Sequence, residues 1–343
     1  MKLFDFAFVP NYPQPIEKLS QFAEPEPWGR AHRVLKSYFN HMFEKVYDDG
    51  LIVSSRDGAY AAFNTGLTNG QFEPIFAVFA KNERPDAQAW FFRGFGIQNR
   101  KGLGELLVTD FDTLPHRVRF VENLSDLLYD PRKGAPRCHW RALFLDHLKR
   151  IPRPFLEHAL DGRLTIPNVV GLEREEAQAR YEAFREEMET ADDALDFMIG
   201  AAEVALEQAM DRVHSDYKTA VPQWHAKDRV VNLLLPLALY NPREVDAALS
   251  VRLDEHGNYV GEHLLTLEMA YNNARLIAKP EAAWLLESLK TNRRATQVVR
   301  NGGGSRTERG SEKTSFADSR RSSEPEDSPR WHDAPSGFED FRD

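Results

Sequence analysis

Three short stretches hold most of the side chains able to do chemistry. LTLEMAYNNARLIAKP, residues 265–280, starts with the alternation of a half-buried strand at Leu265, Leu267 and Met269 and continues with helical spacing. At the join stand Tyr271, Asn272, Asn273 and Arg275. Asn272 or Asn273 can cap the helix by accepting a free backbone N–H, which accounts for one asparagine. Tyr271 and Arg275 are four residues apart, on one face beside a helix N-terminus, a place that favours anions. Two readings of Arg275 follow, a phosphate or other ligand contact and an internal ion pair with a carboxylate. In AAFNTGL, residues 61–67, Asn64 and Thr65 end a strand where Gly66 suits a turn; the two side chains either face a ligand or stabilise that turn. Arg93 interrupts the apolar run WFFRGF. Asn64, Thr65, Arg93, Tyr271, Asn272, Asn273 and Arg275 form the candidate ligand-binding set, expected together on one side of a sheet.

The third stretch is YDPRKGAPRCHWR, residues 129–141, where Arg132, Lys133, Arg137 and Arg141 flank Trp140. Guanidinium groups beside an aromatic ring suit phosphate contact and base stacking, so these five residues are the candidate nucleic-acid set; the alternative is a solvated loop around a core tryptophan. No G-x-S-x-G elbow, P-loop or H-E-x-x-H is present, and GFGIQNRKGLG has the wrong glycine spacing for a dinucleotide site. The two-carboxylate plus E-x-K nuclease pattern is also missing after Pro85-Asp86. His225 with Asp228, and Asp146 beside His147, are pairs able to orient an imidazole, though such pairs are more often structural. The eleven histidines are scattered, so the sequence shows no metal ligand set and implies no cofactor; catalytic residues stay unassigned. A lone Cys138 excludes an internal disulfide and a multi-thiolate zinc site, and reads as a small packed side chain.

These side chains need a body to hold them. The chain has 343 residues, 42% of them apolar, with 22 phenylalanines, enough to bury a sizeable core. Its net charge of −9 is unevenly spread: residues 173–203 hold eleven acids against three arginines, and residues 113–153 hold nine bases against four acids. An acidic protein can thus present one basic face that attracts phosphate. MKLFDFAFVPNYPQP fits neither a signal nor a transit peptide, and the longest apolar run, LLLPLALY, is too short to span a bilayer, so the cytosol is the expected location and no membrane partner is expected.

The proline- and aromatic-rich first thirty residues predict an extended segment pinned onto the body, with little helix. Steps of one and three from Val34 to Tyr47 predict a core helix ended by Asp48-Asp49-Gly50. Asp57-Gly58 predicts a hairpin, followed by strands in PIFAVFAKNE and AWFFRGFGI. Short helices are expected at Leu124–Tyr129 and Arg141–Lys149. Residues 172–218 predict an acidic helical hairpin, with Leu195, Met198, Ile199, Ala202, Leu206, Ala209, Met210, Val213 and Tyr217 on its packed face. Strands return in VVNLLLPLALY, ALSVRL and NYVGEHLLTLEM. The whole reads as one α+β domain, residues 1–292, with a mostly antiparallel sheet and flanking helices, the helical insertion at about 172–218, and a disordered tail at 293–343. Within the tail, Trp331, Phe338 and Phe341 flanked by acids are possible anchors for a protein partner.

FAFVPNYPQPIEKLSQFAEPEPW, AAFNTGL, WFFRGF, DLLYDPR and LLTLEMAYNNARLIAKPEAAWL, in this order, resemble the domain of unknown function 3825 of bacterial and fungal proteins, over about residues 3–286. The resemblance implies no activity. It implies a context, since relatives are joined to RNA-associated modules such as OST-HTH or cold-shock domains. The leading expectation is an RNA- or nucleotide-associated cytosolic binding protein without a metal ligand set of its own. The alternatives are an enzyme acting on a nucleotide or RNA end, with Asn64, Arg275 and Asp130 around a cleft, and a protein-interaction scaffold.

Overall fold

Antiparallel strands dominate, but they divide between two sheets instead of forming one. The computed structural model describes residues 1–84 and 87–286, and these belong to one compact unit, Met1–Lys290. The expectations for the tail, including Trp331, Phe338 and Phe341, lie outside the described residues.

The chain opens with α1 (Leu3–Phe6), β1 (Ala7–Phe8) and α2 (Pro13–Phe22). The helix α2 corrects the expectation of little helix in the first thirty residues. Pro13 and Pro15 fall in its first turn, where a missing N–H costs nothing. The pinned, extended character survives in residues 23–29. Next come α3 (Arg33–Asp48), β2 (Val53–Ser54), β3 (Tyr60–Thr68), β4 (Pro74–Lys81), β5 (Trp90–Ile97) and α4 (Leu103–Thr109). The first sheet has the order β1-β5-β4-β3-β2, with only the β1–β5 pair parallel. Ala61, Phe63, Ala77 and Phe79 face α3, where Tyr38, Phe39, Met42 and Phe43 fill the core. Ala62, Phe76 and Val78 face the other way, onto Leu107 of α4 and Phe111.

The second half holds α5 (Trp140–Asp146), α6 (Arg153–Leu160), α7 (Arg174–Glu189) and α8 (Asp192–Ser215). Then follow β6 (Val221–His225), β7 (Val230–Leu237), β8 (Ala247–Leu253), β9 (Tyr259–Leu265) and α9 (Leu267–Ile277). The strands β6-β7-β8-β9 form an antiparallel meander. Leu233, Leu235, Leu249 and Val251 face the helices, which contribute Phe144, Phe155, Leu195 and Met198. Leu234, Ala248 and Leu265 face α9, alongside Ala270, Tyr271 and Ala274. The acidic hairpin is α7 and α8, as the periodicity indicates; α8 stops at Ser215, and Tyr217 beyond it is exposed. The order of layers is α4, first sheet, α3 with α9, second sheet, then α5–α8.

At the centre of this stack, Arg275 donates from Nε and Nη2 to the Glu26 carboxylate at 2.6 and 2.7 Å. Both side chains are buried, at 6% and 3% exposure. The Arg275 guanidinium also lies 5.0 Å from the Tyr38 ring centroid and 5.8 Å from that of Trp28. Burial opposes its charge, and the Glu26 carboxylate together with the Tyr38 and Tyr271 hydroxyls outweighs that cost, leaving its pKa above the ordinary arginine value. Tyr38 in turn donates to the Thr65 carbonyl at 2.9 Å. This contact needs Gly66: a Cβ there would stand 2.6 Å from the Tyr38 hydroxyl and 2.9 Å from Met42 Cε, and its φ is +74°.

Two predictions follow from this packing. Removing one charge of a buried pair strands the other, so Glu26→Gln should cost about 3–5 kcal/mol in urea unfolding, and Glu26→Leu with Arg275→Met should cost less than Glu26→Gln alone. Gly66→Ala combines a positive φ with two overlaps. Its melting temperature should fall by more than that of Gly58→Ala, which meets open space at a similar φ.

Candidate functional site

The four polar residues of YNNAR fall into three cases. The strand β9 ends at Leu265, and Thr266 caps α9, its Oγ1 accepting from Met269 N at 3.3 Å. Neither Asn272 nor Asn273 is the cap, because the helix begins six or seven residues earlier than a cap at either asparagine requires. Tyr271 donates to Glu26 Oε2 at 3.3 Å and Arg275 holds the same carboxylate, so this pair realises the internal ion-pair reading. Asn273 donates to Gln223 Oε1 at 3.0 Å, tying α9 to β6. Asn272 is 3% exposed, and its side chain makes no hydrogen bond among the described residues.

Asn64 and Thr65 serve the strand itself. Asn64 Oδ1 accepts from Gly66 N at 2.9 Å, and Thr65 Oγ1 donates to the Ile75 carbonyl at 2.7 Å. Asn64 pairs with Phe76 and so shares the α4 face, opposite the face that meets α3. Arg93 is exposed where the β4–β5 register shifts. Asn64 and Arg93 are not brought together with the Tyr271–Arg275 row, since Asn64 lies on the α4 face of the first sheet and Arg93 is exposed at the register shift; Thr65 is linked to that row through its carbonyl, which accepts from Tyr38.

The basic loop is also largely committed. Asp130 accepts from Arg132 Nε and Nη2, both at 2.9 Å, and Arg141 pairs with Asp192 at 3.0 Å. Lys133 donates to the Gly257 carbonyl at 3.0 Å. Arg137 is exposed, while its backbone bridges to Tyr259 and Gly261. Trp140 is 6% exposed and stacks on Phe144, so its ring has no open face for a base. It is the core tryptophan of the second reading. Cys138 packs against Gly261, and burial pushes its thiol up to about 12, so it stays protonated at neutral pH.

What the linear pattern concealed is a group of imidazoles at the polar end of the second sheet. His225 ends β6, His263 lies in β9, and His147 follows α5. The His225 and His263 rings stack at 4.9 Å and 26°, and His147 meets His263 edge-on at 5.4 Å. His147 Nδ1 is 2.8 Å from the Leu143 carbonyl, and its Nε2 is 3.3 Å from His263 Nδ1. Burial, then the neighbouring His225 and His147, holds the pKa of His263 down at about 4, and burial lowers that of His147 as well. Both are neutral imidazoles at neutral pH. His225 Nδ1 lies 3.0 Å from Asp228 in the β6–β7 turn, yet this buried nitrogen makes no aligned hydrogen bond. One donor atom each from His225, Asp228 and His263 fall within 4.8 Å of one another.

A polar network runs on from this group. Gln223 donates to Ser250 Oγ at 2.6 Å, Asn232 to the same oxygen at 3.2 Å, and Asn232 also to Glu262 at 3.3 Å. Glu262 pairs with Arg252, and Arg229 beyond Asp228 pairs with Asp48 at the end of α3. The two pairs in sequence that pointed here, His225 with Asp228 and Asp146 beside His147, diverge: Asp146 pairs with Arg185. No local spacing links residues 147, 225 and 263, so only strand pairing exposes the cluster.

A separate cleft of about 650 Å³ is lined by Asp49, Leu51, His116, Arg117, Val118 and Arg119. Here an extended segment buries Val118 and Phe120 and turns Arg117 and Arg119 outward. Neither arginine has an ion pair with an acid among the described residues; Asp49, the cleft's own acid, is held by Lys45 at 2.7 Å. Lys45 Nζ also lies 5.4 Å from the Trp224 ring, which links this edge of α3 to β6.

Among the described residues, no helix is long and apolar enough to cross a membrane. No curated protein and no solved structure matches the chain. A family model, domain of unknown function (DUF3825), matches residues 19–284, which takes in α3, both strand-rich halves and the whole of α9. With well over half of its length matched, the chain belongs to the DUF3825 family.

Proposed function

We propose that this protein is an RNA- or nucleotide-associated binding protein whose phosphate contacts run along the Arg117–Arg119 cleft. One observation carries this reading: two outward guanidinium groups, neither in an ion pair among the described residues, line one concave surface whose own acid, Asp49, is held by Lys45. The neighbouring basic residues are engaged elsewhere, Arg132 by Asp130, Arg141 by Asp192 and Arg153 by Glu157. A guanidinium already paired to an acid has less to gain from a phosphate than one facing water. His116, on the same segment, adds a ring nitrogen able to hydrogen-bond phosphate or a base edge. The core residues Val118 and Phe120 fix the segment, so the arginines are presented from a firm support.

The enzyme reading draws on different atoms, the imidazoles beside Asp228, and needs a group that activates water or substrate there. The cytosol remains the proposed location and the tail a proposed protein-docking segment.

The measurement that tests the binding reading is fluorescence anisotropy with single-stranded RNA over a salt series. Arg117→Glu with Arg119→Glu should weaken binding at least tenfold at moderate salt, and lower the salt slope by about one per arginine lost. Arg132→Glu should do less, since Asp130 already compensates it. Equal affinity for the wild type and the double variant would remove the cleft from consideration.

A further inference from the structure

Two imidazoles and a carboxylate, drawn from β6, the β6–β7 turn and β9, converge with no hydrogen bond between them to explain the convergence. We propose that His225, His263 and Asp228 form a binding site for a first-row divalent cation of the zinc class. The inference is independent of the RNA-binding reading, because it shares no residue with the Arg117–Arg119 cleft.

Three observations support it. The first is the donor set. Two imidazole nitrogens and one carboxylate oxygen are the ligands that zinc and its neighbours accept, and three protein ligands leave a fourth position for water. Donors on a tetrahedral zinc stand about 3.3 Å apart for ligand bonds near 2.0 Å. The His225–Asp228 separation of 3.0 Å is already close to that, and the rest lie within 4.8 Å, so side-chain rotation suffices.

The second is the His225–Asp228 contact itself. A histidine held by an aspartate for structural reasons points an N–H along the oxygen lone pair. Here Nδ1 is within reach, buried and misaligned, an arrangement that suits two ligands of a shared ion better than a donor and its acceptor.

The third is the support behind His263. His147 Nδ1–H donates to the Leu143 carbonyl, which leaves His147 Nε2 as an acceptor. His263 Nδ1–H then donates to that nitrogen, and the remaining ring nitrogen of His263 carries a free lone pair. Metal-binding histidines are held in this way, with the second nitrogen donating to an acceptor that fixes the tautomer and the ring. His147 is thus a positioning residue. Of the nearby cations, Arg252 is paired with Glu262, Arg229 with Asp48, and Arg150 donates to the Leu264 carbonyl. Asp228 is 52% exposed on its side chain, so an ion has a route in and its fourth position faces solvent.

The test uses the full chain freed of metal by chelation, titrated with Zn²⁺ against a chromophoric chelator, and in parallel with Co²⁺ followed by visible absorption. One equivalent of Zn²⁺ should bind per chain, and Co²⁺ should develop ligand-field bands. His225→Gln and His263→Gln should abolish both signals. Asp228→Asn should weaken Zn²⁺ binding at least tenfold, and His147→Gln should weaken it roughly 10–100-fold while the Co²⁺ bands persist. Zinc should raise the melting temperature of the wild type and not that of His263→Gln. Because Asp228 lies in an exposed turn, its asparagine variant folds even if the histidine variants do not, and then decides the matter. No stoichiometric Zn²⁺ binding would overturn the proposal. So would equal affinity in the wild type and Asp228→Asn, or loss of binding through His256→Gln, a histidine of the exposed β8–β9 turn.

Discussion

The buried pair between Glu26 and Arg275 is the contact through which the separate parts of this fold meet. Glu26 belongs to the proline-rich segment after α2, and Arg275 to the last helix of the described structure, 249 residues apart in the chain. Each charge is costly to bury alone, and together they are tolerable only in a two-bonded geometry with Tyr271 adding a third contact. That requirement positions α9 in rotation and in height. Once α9 is placed, Asn273 can reach Gln223 and the apolar residues Ala270 and Ala274 can meet the second sheet. Tyr38 transmits the same constraint to the first sheet through Thr65, at a point where only glycine fits at position 66. The segments PEPW, FNTGL and YNNAR are thus three faces of one junction.

The second sheet is built asymmetrically, and this asymmetry creates the opportunity for chemistry. Its helix-facing side is wholly apolar, with leucine and valine alternating out of β7 and β8. Its other side is apolar only where α9 covers it. From Gln223, which Asn273 of α9 still reaches, the same rows continue as His225, Asn232, Ser250, Arg252 and His263. Polar groups this deeply placed are stable when they satisfy one another, as Gln223, Ser250, Asn232 and Glu262 do. His225 departs from that rule, and this departure is what sets the histidine group apart from an ordinary polar network.

The proposed phosphate-binding cleft and the histidine group lie on either side of the C-terminal turn of α3. Lys45 and Asp49 border the cleft, while Asp48 holds Arg229 next to Asp228. A ligand extending from one toward the other would pass along this turn. At the end of α3, Asp48 and Asp49 are held by Arg229 and Lys45, which leaves Arg117 and Arg119 as the cleft's charges without an ion pair among the described residues, whereas in the loop at 129–141 Arg132 is spent on Asp130, Arg141 on Asp192 and the tryptophan on the core.

The sequence by itself determined the fold class, the core helix α3, the Asp57-Gly58 hairpin, the antiparallel strands and the acidic hairpin of α7 and α8, because each is written in local periodicity or turn chemistry. It also marked YNNAR as exceptional, since polar side chains in an apolar helix must have partners. What it did not contain was the identity of those partners. Glu26 for Arg275, 249 residues away, Gln223 for Asn273, 50 residues away, and the burial of Trp140 depend on tertiary contacts that local spacing does not fix. The alternation of Leu265, Leu267 and Met269 reads as strand through Thr266 and leaves the cap to an asparagine, because alternation and helical spacing overlap over so few residues. His147, His225 and His263 carry no shared spacing at all. Only the pairing of four strands and the turn after α5 brought their rings within stacking distance, and in such a cluster the chemistry belongs to the tertiary fold, because long-range register and not local propensity sets the distances between its atoms.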